Sequence, residues 1–243
     1  MKKHKICKIL LVILAIFLCV AFYELLGTCV AYKKQPEVSN TTKKETKNGS
    51  WNECSENTER AVIIEKNPEA LLQRVRLIKN AKKEIILSTF AFQSDESGKL
   101  ILGALHDAAD RGVHIRLLVD GMESWIDMEG NPYFYGLSSH ENVEIKLYNK
   151  ANPLKPWKMM GRMHDKYLIA DGKRYILGGR NTYNYFLGDF PGHKNYDRDV
   201  LVVCDEPEKE NSVNQLLEYF ETIWEQEDSG YFHDNKKLAN RKS

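Results

Sequence analysis

The chain has 243 residues, of which 42% are hydrophobic and 28% are charged. This composition is typical of a folded globular protein and excludes a disordered, collagen-like or disulfide-scaffold chain. Residues 1–59 hold nine Lys/Arg and six Asp/Glu, which leaves 26 and 28 for residues 60–243, a net charge of −2. Charge alone therefore gives no indication of a basic nucleic-acid-binding module in the larger part of the chain.

An apolar run covers residues 9–32, and it is interrupted by Glu24 and by the weakly polar Gly27 and Thr28. As a helix it would extend ~36 Å, enough to cross the core of a bilayer. Lysines are denser before the run than directly after it, so the positive-inside rule predicts a cytoplasmic N-terminus and an extracytoplasmic remainder. A cleaved signal peptide and a lipoprotein signal are alternatives, but the length of the run favours a retained anchor.

Composition then divides the chain into segments. The run 33–59 is rich in Lys, Glu, Asn, Thr and Ser and has no periodic apolar pattern, which is typical of a tether. The sequence thus predicts a cytoplasmic basic stub (1–8), a transmembrane anchor (9–32), a flexible tether (33–59) and a globular domain (60–243), which the motif described below makes the catalytic one.

Strand and helix patterns alternate in the predicted catalytic domain. Predicted strands cover 84–92, 113–119, 143–148, 163–170, 174–178 and 198–204, and predicted helices follow Asn67, cover 99–110 and end near Trp224. This alternation predicts an α/β fold in which a mixed sheet is flanked by helices on both faces.

The five cysteines show no metal-ligand spacing such as Cys-x-x-Cys, and we predict neither a metal nor another cofactor. A disulfide between Cys54 and Cys204 is one possibility outside the cell. The other is that Cys204, at the end of a predicted core strand, is a small buried apolar residue.

The chemistry is concentrated in residues 163–181, MHDKYLIADGKRYILGGRN. On a strand, His164 and Lys166 point to the same face, which places a nucleophile or base beside a cation. Gly178 and Gly179 allow the backbone to approach an anion closely, and Asn181, at the start of a possible helical turn, adds an amide donor. Each of these features is weak by itself, but the combined spacing is much rarer and suits phosphoryl chemistry.

This segment resembles the HKD motif of the phospholipase D superfamily, with His-x-Lys, four residues, Asp171, six residues and then Gly-Gly-Arg-Asn. The usual motif has Gly-Ser, and the Gly-Gly-Arg-Asn variant is similar to bacterial cardiolipin synthase-type members. STFAFQSD, AADRGVHIRLLVDG and NYDRDVLVV are also similar to the family, so the resemblance covers about residues 60–227 and implies a phospholipase D-like fold.

The resemblance implies roles for individual residues. The motif His of the family attacks phosphorus and forms a phosphohistidine, so His164 is the expected nucleophile. Lys166 and Asn181 are expected to hold the phosphate oxygens. The remaining residues of the Gly-Gly-Arg-Asn segment complete the expected substrate-binding set: Gly178, Gly179 and Arg180.

Three carboxylates near the motif have alternative roles. Asp171 closes the motif, and a structural role in a turn is an alternative to a direct catalytic one. Asp197 aligns with the downstream acid that orients the His in related enzymes, and Asp199 is the alternative for that role. We expect one of these two aspartates to pair with Arg198.

Cardiolipin synthases and most phospholipases D have two such motifs in one chain, whereas this chain has one. The second His normally protonates the leaving alcohol. The resemblance therefore implies a homodimer that pairs two motifs, as in the single-motif endonucleases of the family, or one half of a split enzyme with a second-half chain.

The stretch from Lys146 to Lys166 holds six cations and one acid, interleaved with Pro, Leu, Met and Trp157. This composition suits the headgroup region of an anionic phospholipid membrane, with Trp157 as a predicted substrate contact. It also fits single-stranded nucleic acid, or a solvated loop over one core Trp. The anchor favours lipid, and we expect a phospholipase D-type phosphodiesterase or phosphatidyltransferase. A nuclease and a catalytically silent half enzyme are the alternatives.

Overall fold

The computed structural model describes residues 2–33, 39–40, 43–44, 59–152, 154–158, 160–206 and 211–232. Most of the predicted tether and Cys54 lie outside the described residues, so the possible disulfide with Cys204 stays untested. Cys204 itself is buried, as the alternative predicted. The chain divides into a smaller unit, residues 1–55 and 151–161, and a larger unit, residues 56–150 and 162–243.

The smaller unit is built on helix α1 (Lys2–Lys33). Within its stretch His4–Val30, a window of 18 residues reaches a mean hydropathy of 2.9 and is not buried, and the stretch is long and apolar enough to cross a membrane. The helix starts before the predicted anchor and includes most of the predicted basic stub. A short 3-10 turn, Pro156–Lys158, packs against α1 within this unit.

The larger unit contains a sheet and helices in alternation. Its helices are α2 (Asn67–Asn80), α3 (Glu96–Asp110), α4 (Gly121–Asp127), α5 (Pro132–Ser138) and α6 (Ser212–Trp224). Its strands are β1 (Glu59–Ile64), β2 (Glu84–Thr89), β3 (His114–Asp120), β4 (Val143–Tyr148), β5 (Lys166–Ala170), β6 (Arg174–Gly178), β7 (Asp199–Cys204) and β8 (Ser229–Tyr231).

The described strands form one sheet in the order β1-β7-β6-β5-β2-β3-β4-β8. The pairs β2–β3 and β3–β4 are parallel, and the other neighbours are antiparallel. This arrangement places β5, the strand of the HKD motif, between β2 and β6. The first strand, β1, forms one edge of the sheet by pairing with β7.

Polar side chains determine where several helices begin. Asp95 accepts a hydrogen bond from Gly98 N at 3.0 Å and caps α3. Asn211 accepts from Asn214 N at 2.9 Å and caps α6, while Pro68 occupies the first turn of α2. Such side chains satisfy amide groups that have no partner inside the helix.

Apolar packing covers both faces of the sheet. Side chains of α2, α3 and α5 belong to one large buried cluster with residues such as Phe92 and Val119. On the other face, Phe220 and Trp224 of α6 pack with Tyr167 and Tyr175. The predicted mixed sheet with helices on both faces is therefore confirmed.

Element boundaries differ from the sequence-based predictions near the motif. Strand β2 ends at Thr89 rather than at residue 92, and the chain then forms an isolated bridge from Phe92 to Thr182. Strand β5 begins at Lys166, so His164 lies in the extended segment before the strand. Both differences have one cause, because the hydrogen-bonded pairing of β2 with β5 ends at Thr89 and Lys166.

Candidate active site

The motif His is exposed and packs against an aromatic ring that follows β2. The rings of His164 and Phe90 meet edge to face with centroids 4.6 Å apart. Lys166 Nζ donates to the His164 carbonyl oxygen at 2.8 Å and lies 5.3 Å from the centre of the Phe90 ring. The structure therefore brings His164 and Lys166 together, and it adds Phe90, which motif spacing did not identify.

Lys166 carries its charge in a buried position. Burial lowers the pKa of its ammonium group from the ordinary value, and the negative charges of Asp165 and Asp197 partly oppose this shift. An ammonium group has three hydrogen-bond donors, and the bond to the His164 carbonyl uses one of them. The others are available in principle for substrate oxygens.

Asn181 is held on the neighbouring segment. Its Oδ1 accepts from Ala91 N at 3.3 Å. Two residues further along, burial raises the pKa of Tyr183. The predicted helical turn is a single turn closed by Leu187 N and Tyr183 O at 3.1 Å, and no longer helix follows in the described segment 181–198. No helix terminus therefore adjoins Asn181 in this described segment, and its contact with a phosphate oxygen stays a prediction.

Gly178 and Gly179 make room for carboxylates of the chain itself. An added Cβ at Gly178 would overlap the carboxylate of Asp199, its partner across the β6–β7 pair, and would also meet the backbone there. An added Cβ at Gly179 would overlap the carboxylate of Asp197. Because these two residues have no side chain, the carboxylates of Asp199 and Asp197 fit beside them, and the predicted approach of an anion to this backbone stays a prediction.

Asp199 belongs to a buried ionic cluster. Its Oδ2 accepts from Arg74 Nη1 at 2.8 Å and lies 3.2 Å from Arg180 Nη1. Arg180 also donates to Asn67 Oδ1 at 3.1 Å and to the main-chain oxygens of residues 64 and 65, and its side chain is fully buried. Arg180 thus stabilises the Gly-Gly segment from its buried side, through its bonds to Asp199, Asn67 and the end of β1.

Asp197, in contrast, is exposed. Its Oδ1 accepts from Arg198 N at 2.7 Å, while the Arg198 guanidinium pairs with Glu65 at 2.9 Å. The predicted side-chain pairing of Arg198 with an aspartate is therefore wrong, because Glu65 on the segment after β1 is closer. No hydrogen bond joins Asp197 to the His164 ring in the part of the chain that the structure describes, so the orienting role stays a prediction.

Asp171 lies at the opposite end of β5 from His164. It has a positive φ of 55° and follows the strand directly. Its carboxylate accepts from the main-chain nitrogens of Lys82, Lys83 and Glu84 at 2.7–3.1 Å. These contacts fasten the β5–β6 turn to the start of β2, which is the structural alternative that the sequence analysis left open.

A buried carboxylate that the sequence did not single out fixes the segment before His164. Asp120 Oδ2 accepts from Arg162 Nε at 2.9 Å and from Met163 N at 3.1 Å. Its Oδ1 accepts from Met122 N at 3.0 Å and so caps α4. Asp120, fully buried at the end of β3, is therefore a positioning residue for the motif.

Several cations of the predicted lipid-binding stretch serve the fold instead. Lys146 donates to Trp224 O at 2.8 Å, Lys150 donates to Tyr231 O at 2.6 Å, and Arg162 binds Asp120. Composition cannot distinguish such bonds from exposed charge. Trp157 belongs to the smaller unit and is 42% exposed, and its substrate contact stays a prediction.

A pocket of about 440 Å³ adjoins Asn181 through Tyr183. The residues that line it are Gln93, Asp95, Tyr183, Asn184, Tyr185, Pro191, Gly192 and His193. The rings of Tyr185 and His193 meet with centroids 5.2 Å apart. Among the described residues, no group of three or more His, Cys, Asp or Glu side chains is arranged to hold a metal ion.

A family model described as "Cardiolipin synthase, PLD-like domain" matches residues 74–224, more than half of the chain. The chain belongs to the cardiolipin synthase-like group of the phospholipase D superfamily. The match includes the HKD motif, the buried ion pair of Arg74 with Asp199 and the last helix of the larger unit.

Curated relatives are similar over part of their length. The chain is 29% identical to cardiolipin synthase C of Escherichia coli over 171 residues, which are 65% of this chain and 34% of that protein. It is 34% identical to cardiolipin synthase 1 of Staphylococcus aureus over 117 residues, 48% of this chain and 23% of that protein. The chain thus spans about a quarter to a third of these relatives.

Solved structures of the superfamily share the fold. NucT from Helicobacter pylori matches with a TM-score of 0.55 and 16% identity, over 72% of this chain and 99% of that one. Phosphatidylserine synthase from Haemophilus influenzae matches with a TM-score of 0.56 and 17% identity, over 74% of this chain and 41% of that one. At these identities the likeness shows the phospholipase D-like fold.

Proposed function

We propose that the chain is a phosphodiesterase or phosphatidyltransferase that acts on phospholipids through a covalent phosphohistidine at His164. The observation that carries the proposal is the exposed His164 ring beside the buried ammonium of Lys166, which is bonded to the His164 carbonyl at 2.8 Å. An exposed imidazole is accessible to a phosphodiester, and a fixed cation stabilises the charge that develops on the phosphorus oxygens. Membership of the family supports the same chemistry.

The proposed reaction has two displacements at one phosphorus. First, an imidazole nitrogen of His164 attacks, a P–N bond forms, and the P–O bond to the headgroup alcohol breaks while a general acid protonates the leaving oxygen. Then water or another alcohol attacks, gives its proton to the same general acid–base group, and the P–N bond breaks. Water yields phosphatidic acid, and a primary alcohol yields a phosphatidyl-alcohol.

The other site residues divide into contacts and supports. We assign Lys166 and Asn181 to the substrate oxygens, since the Lys166 ammonium and the Asn181 amide each have N–H donors beyond the bonds described above. Asp197 sets the electrostatic environment of Lys166. The buried or turn positions support the backbone of the motif: Asp171, Gly178, Gly179 and Arg180.

A second copy of the chain would supply the general acid. One motif provides one His, whereas the reaction needs a nucleophile and a proton donor. A two-fold dimer with facing motifs meets this need with identical subunits. This unit covers 99% of the chain of Nuc from Salmonella typhimurium, a phospholipase D family member, so chains with one such unit occur in the family. A second-half chain is the alternative partner.

The membrane is the proposed setting for the substrate. We propose that α1 is retained as an anchor with a cytoplasmic N-terminus, so that the larger unit works on the extracytoplasmic side at the end of the tether 33–59. Tethering at a bilayer gives a high local concentration of phospholipid. Single-stranded nucleic acid, also a phosphodiester, is the competing substrate.

The test uses the full chain in vesicles that contain phosphatidylglycerol and a primary alcohol. We expect phosphatidic acid and phosphatidyl-alcohol from the wild type, and neither product from His164→Ala, which retains its fold because the ring is exposed. His106→Ala, another exposed His, is the matched control and keeps full activity. Residual turnover by folded His164→Ala would refute the phosphohistidine, and cleavage of single-stranded DNA with every phospholipid untouched would establish the nuclease alternative.

A further inference from the structure

The residues that interrupt the apolar run of α1 lie on one face of the helix. Glu24, Gly27 and Thr28 have the i, i+3, i+4 spacing that aligns side chains along a helix. Between residues 4 and 30, these are the positions that are partly covered, whereas every other one is exposed. Something in the smaller unit therefore covers this face.

The segment that precedes the catalytic strand contacts the same end of the helix. The hydroxyl of Tyr23 donates to the main-chain oxygen of Leu154 at 3.3 Å, and the 3-10 turn Pro156–Lys158 packs against α1. Both belong to the smaller unit, together with the rest of residues 151–161. The segment thus lies along the C-terminal part of α1, beside the face of Glu24.

The position of this contact along the helix determines its depth in a bilayer. With 1.5 Å per residue, Tyr23 lies about 21 Å and Thr28 about 28 Å from Ile9, where the apolar run begins. The hydrocarbon core is about 30 Å thick, so the contact falls in the leaflet on the far side from the N-terminus. A carboxylate such as Glu24 is unfavourable against lipid and is expected to face protein.

The outer surface of the segment suits lipid. Leu154 is 80% exposed, Met160 is 53% exposed, and Trp157 is also partly exposed, although all three are large and apolar. Lys155 is exposed between Leu154 and Trp157. Aromatic and aliphatic side chains with a neighbouring Lys are typical of segments that lie at the boundary between headgroups and acyl chains.

We propose that Leu154, Trp157 and Met160 form a second membrane contact, that their segment docks on the Glu24–Gly27–Thr28 face of α1, and that Leu154 and Trp157 thereby lie in the far leaflet. This inference rests on the proposed role of α1 as a membrane anchor. The partner is the lipid bilayer itself. The contact does not depend on the proposed phosphodiester chemistry, and it would hold the segment before the HKD motif at the lipid surface.

The experiment measures the quenching of tryptophan fluorescence by lipids with brominated acyl chains. The full chain is reconstituted in phosphatidylcholine–phosphatidylglycerol vesicles, and the wild type is compared with Trp157→Phe. We expect the wild type to be quenched and Trp157→Phe to lose most of the quenched emission, although Trp51, Trp125 and Trp224 remain. Unchanged quenching in Trp157→Phe would overturn the insertion.

A second pair of variants tests the docking face. Gly27→Leu adds bulk on the proposed docking face and is expected to reduce the quenching of Trp157, whereas Ala15→Leu adds similar bulk at an exposed position on the opposite face of α1 and leaves it unchanged. Wild-type quenching in Gly27→Leu would overturn the docking. Flotation with the vesicles confirms that each variant is inserted, and because no activity is measured, failure here leaves the proposed reaction untouched.

Discussion

The carboxylate of Asp197 lies in the space that a side chain at position 179 would occupy. Gly179 stands at the place where the usual HKD motif has Ser, so in this chain the space of that Ser is filled by an aspartate from 18 residues further along. The Gly-Gly form of the motif and the position of Asp197 therefore depend on each other, because a side chain at residue 179 would clash with the Asp197 carboxylate.

This coupling predicts that Gly179→Ser, a change to the common family residue, lowers activity. Asp197 is exposed, so its carboxylate moves aside with little cost in stability, but its effect on Lys166 is lost. We expect the activity of Gly179→Ser to match that of Asp197→Ala, and the double variant to be no worse than either, because both act through one contact. Additive losses in a double-mutant cycle would contradict this explanation.

The pH dependence of the reaction should report on Lys166. Its pKa lies below the ordinary value because of burial, and Asp197 partly restores it. The ammonium form is the active one, so activity is lost as the pH rises through this pKa. Asp197→Asn removes a charge that raises the pKa, and the alkaline limb of the pH–rate profile for a soluble diester is expected to move to lower pH. Glu65→Gln is the control. It also removes one negative charge, next to Arg198, and should leave the alkaline limb of the pH–rate profile at the same pH.

Asp120 is expected to stabilise the fold and to position the motif. Asp120→Ala removes a buried carboxylate from Arg162 and from the N-terminus of α4, and we expect a loss of about 3 kcal/mol in the free energy of unfolding. Asp120→Asn keeps an oxygen for Met163 N and should cost about 1–2 kcal/mol while lowering kcat more than it changes KM. Denaturant unfolding and steady-state kinetics measure both effects. Asp107, an exposed carboxylate on α3, provides the control Asp107→Ala. Equal losses of unfolding free energy and of kcat in this variant would contradict the positioning role of Asp120.

Mixing of chains tests the proposed dimer. If His164 of one copy attacks and His164 of the other protonates, only pairs of two wild-type chains are active. Random pairing of equal amounts of wild type and His164→Ala then leaves about a quarter of the activity of the same total amount of wild type, whereas independent subunits leave about half. Titration of one chain against the other, after co-reconstitution, distinguishes the quadratic from the linear dependence.

Periodicity and motif spacing predicted the part of the structure that rests on local pattern. The apolar stripe of α6 and the strands around residues 115, 145 and 176 have such patterns. The motif spacing likewise predicted that His164 and Lys166 lie close together. Helices α4 and α5 have seven residues each, too few for a clear apolar period. Strand β8 has three residues and exists because β4 offers a free edge.

The supports of the site were not predictable, because they depend on long-range pairing. Asp120 meets Arg162 from 42 residues away, and Asp199 meets Arg74 from 125 residues away. Without the sheet order, nothing in either sequence segment indicates its partner. The same limit applies to Lys146 and Lys150, which resemble exposed lysines in composition and yet bind main-chain oxygens.

The pairing of β1 with β7 has a consequence for biosynthesis. Glu59 pairs with Cys204 and Ile64 with Asp199, so the partners are separated by 145 to 135 residues. Such distant pairing slows folding, and the N-terminal part of a chain is made first. Strand β1, the first strand of the larger unit in the sequence, therefore emerges early and stays unpaired until β7 has been synthesised. A chain released before about residue 204 would present this open strand edge, which other chains could pair with.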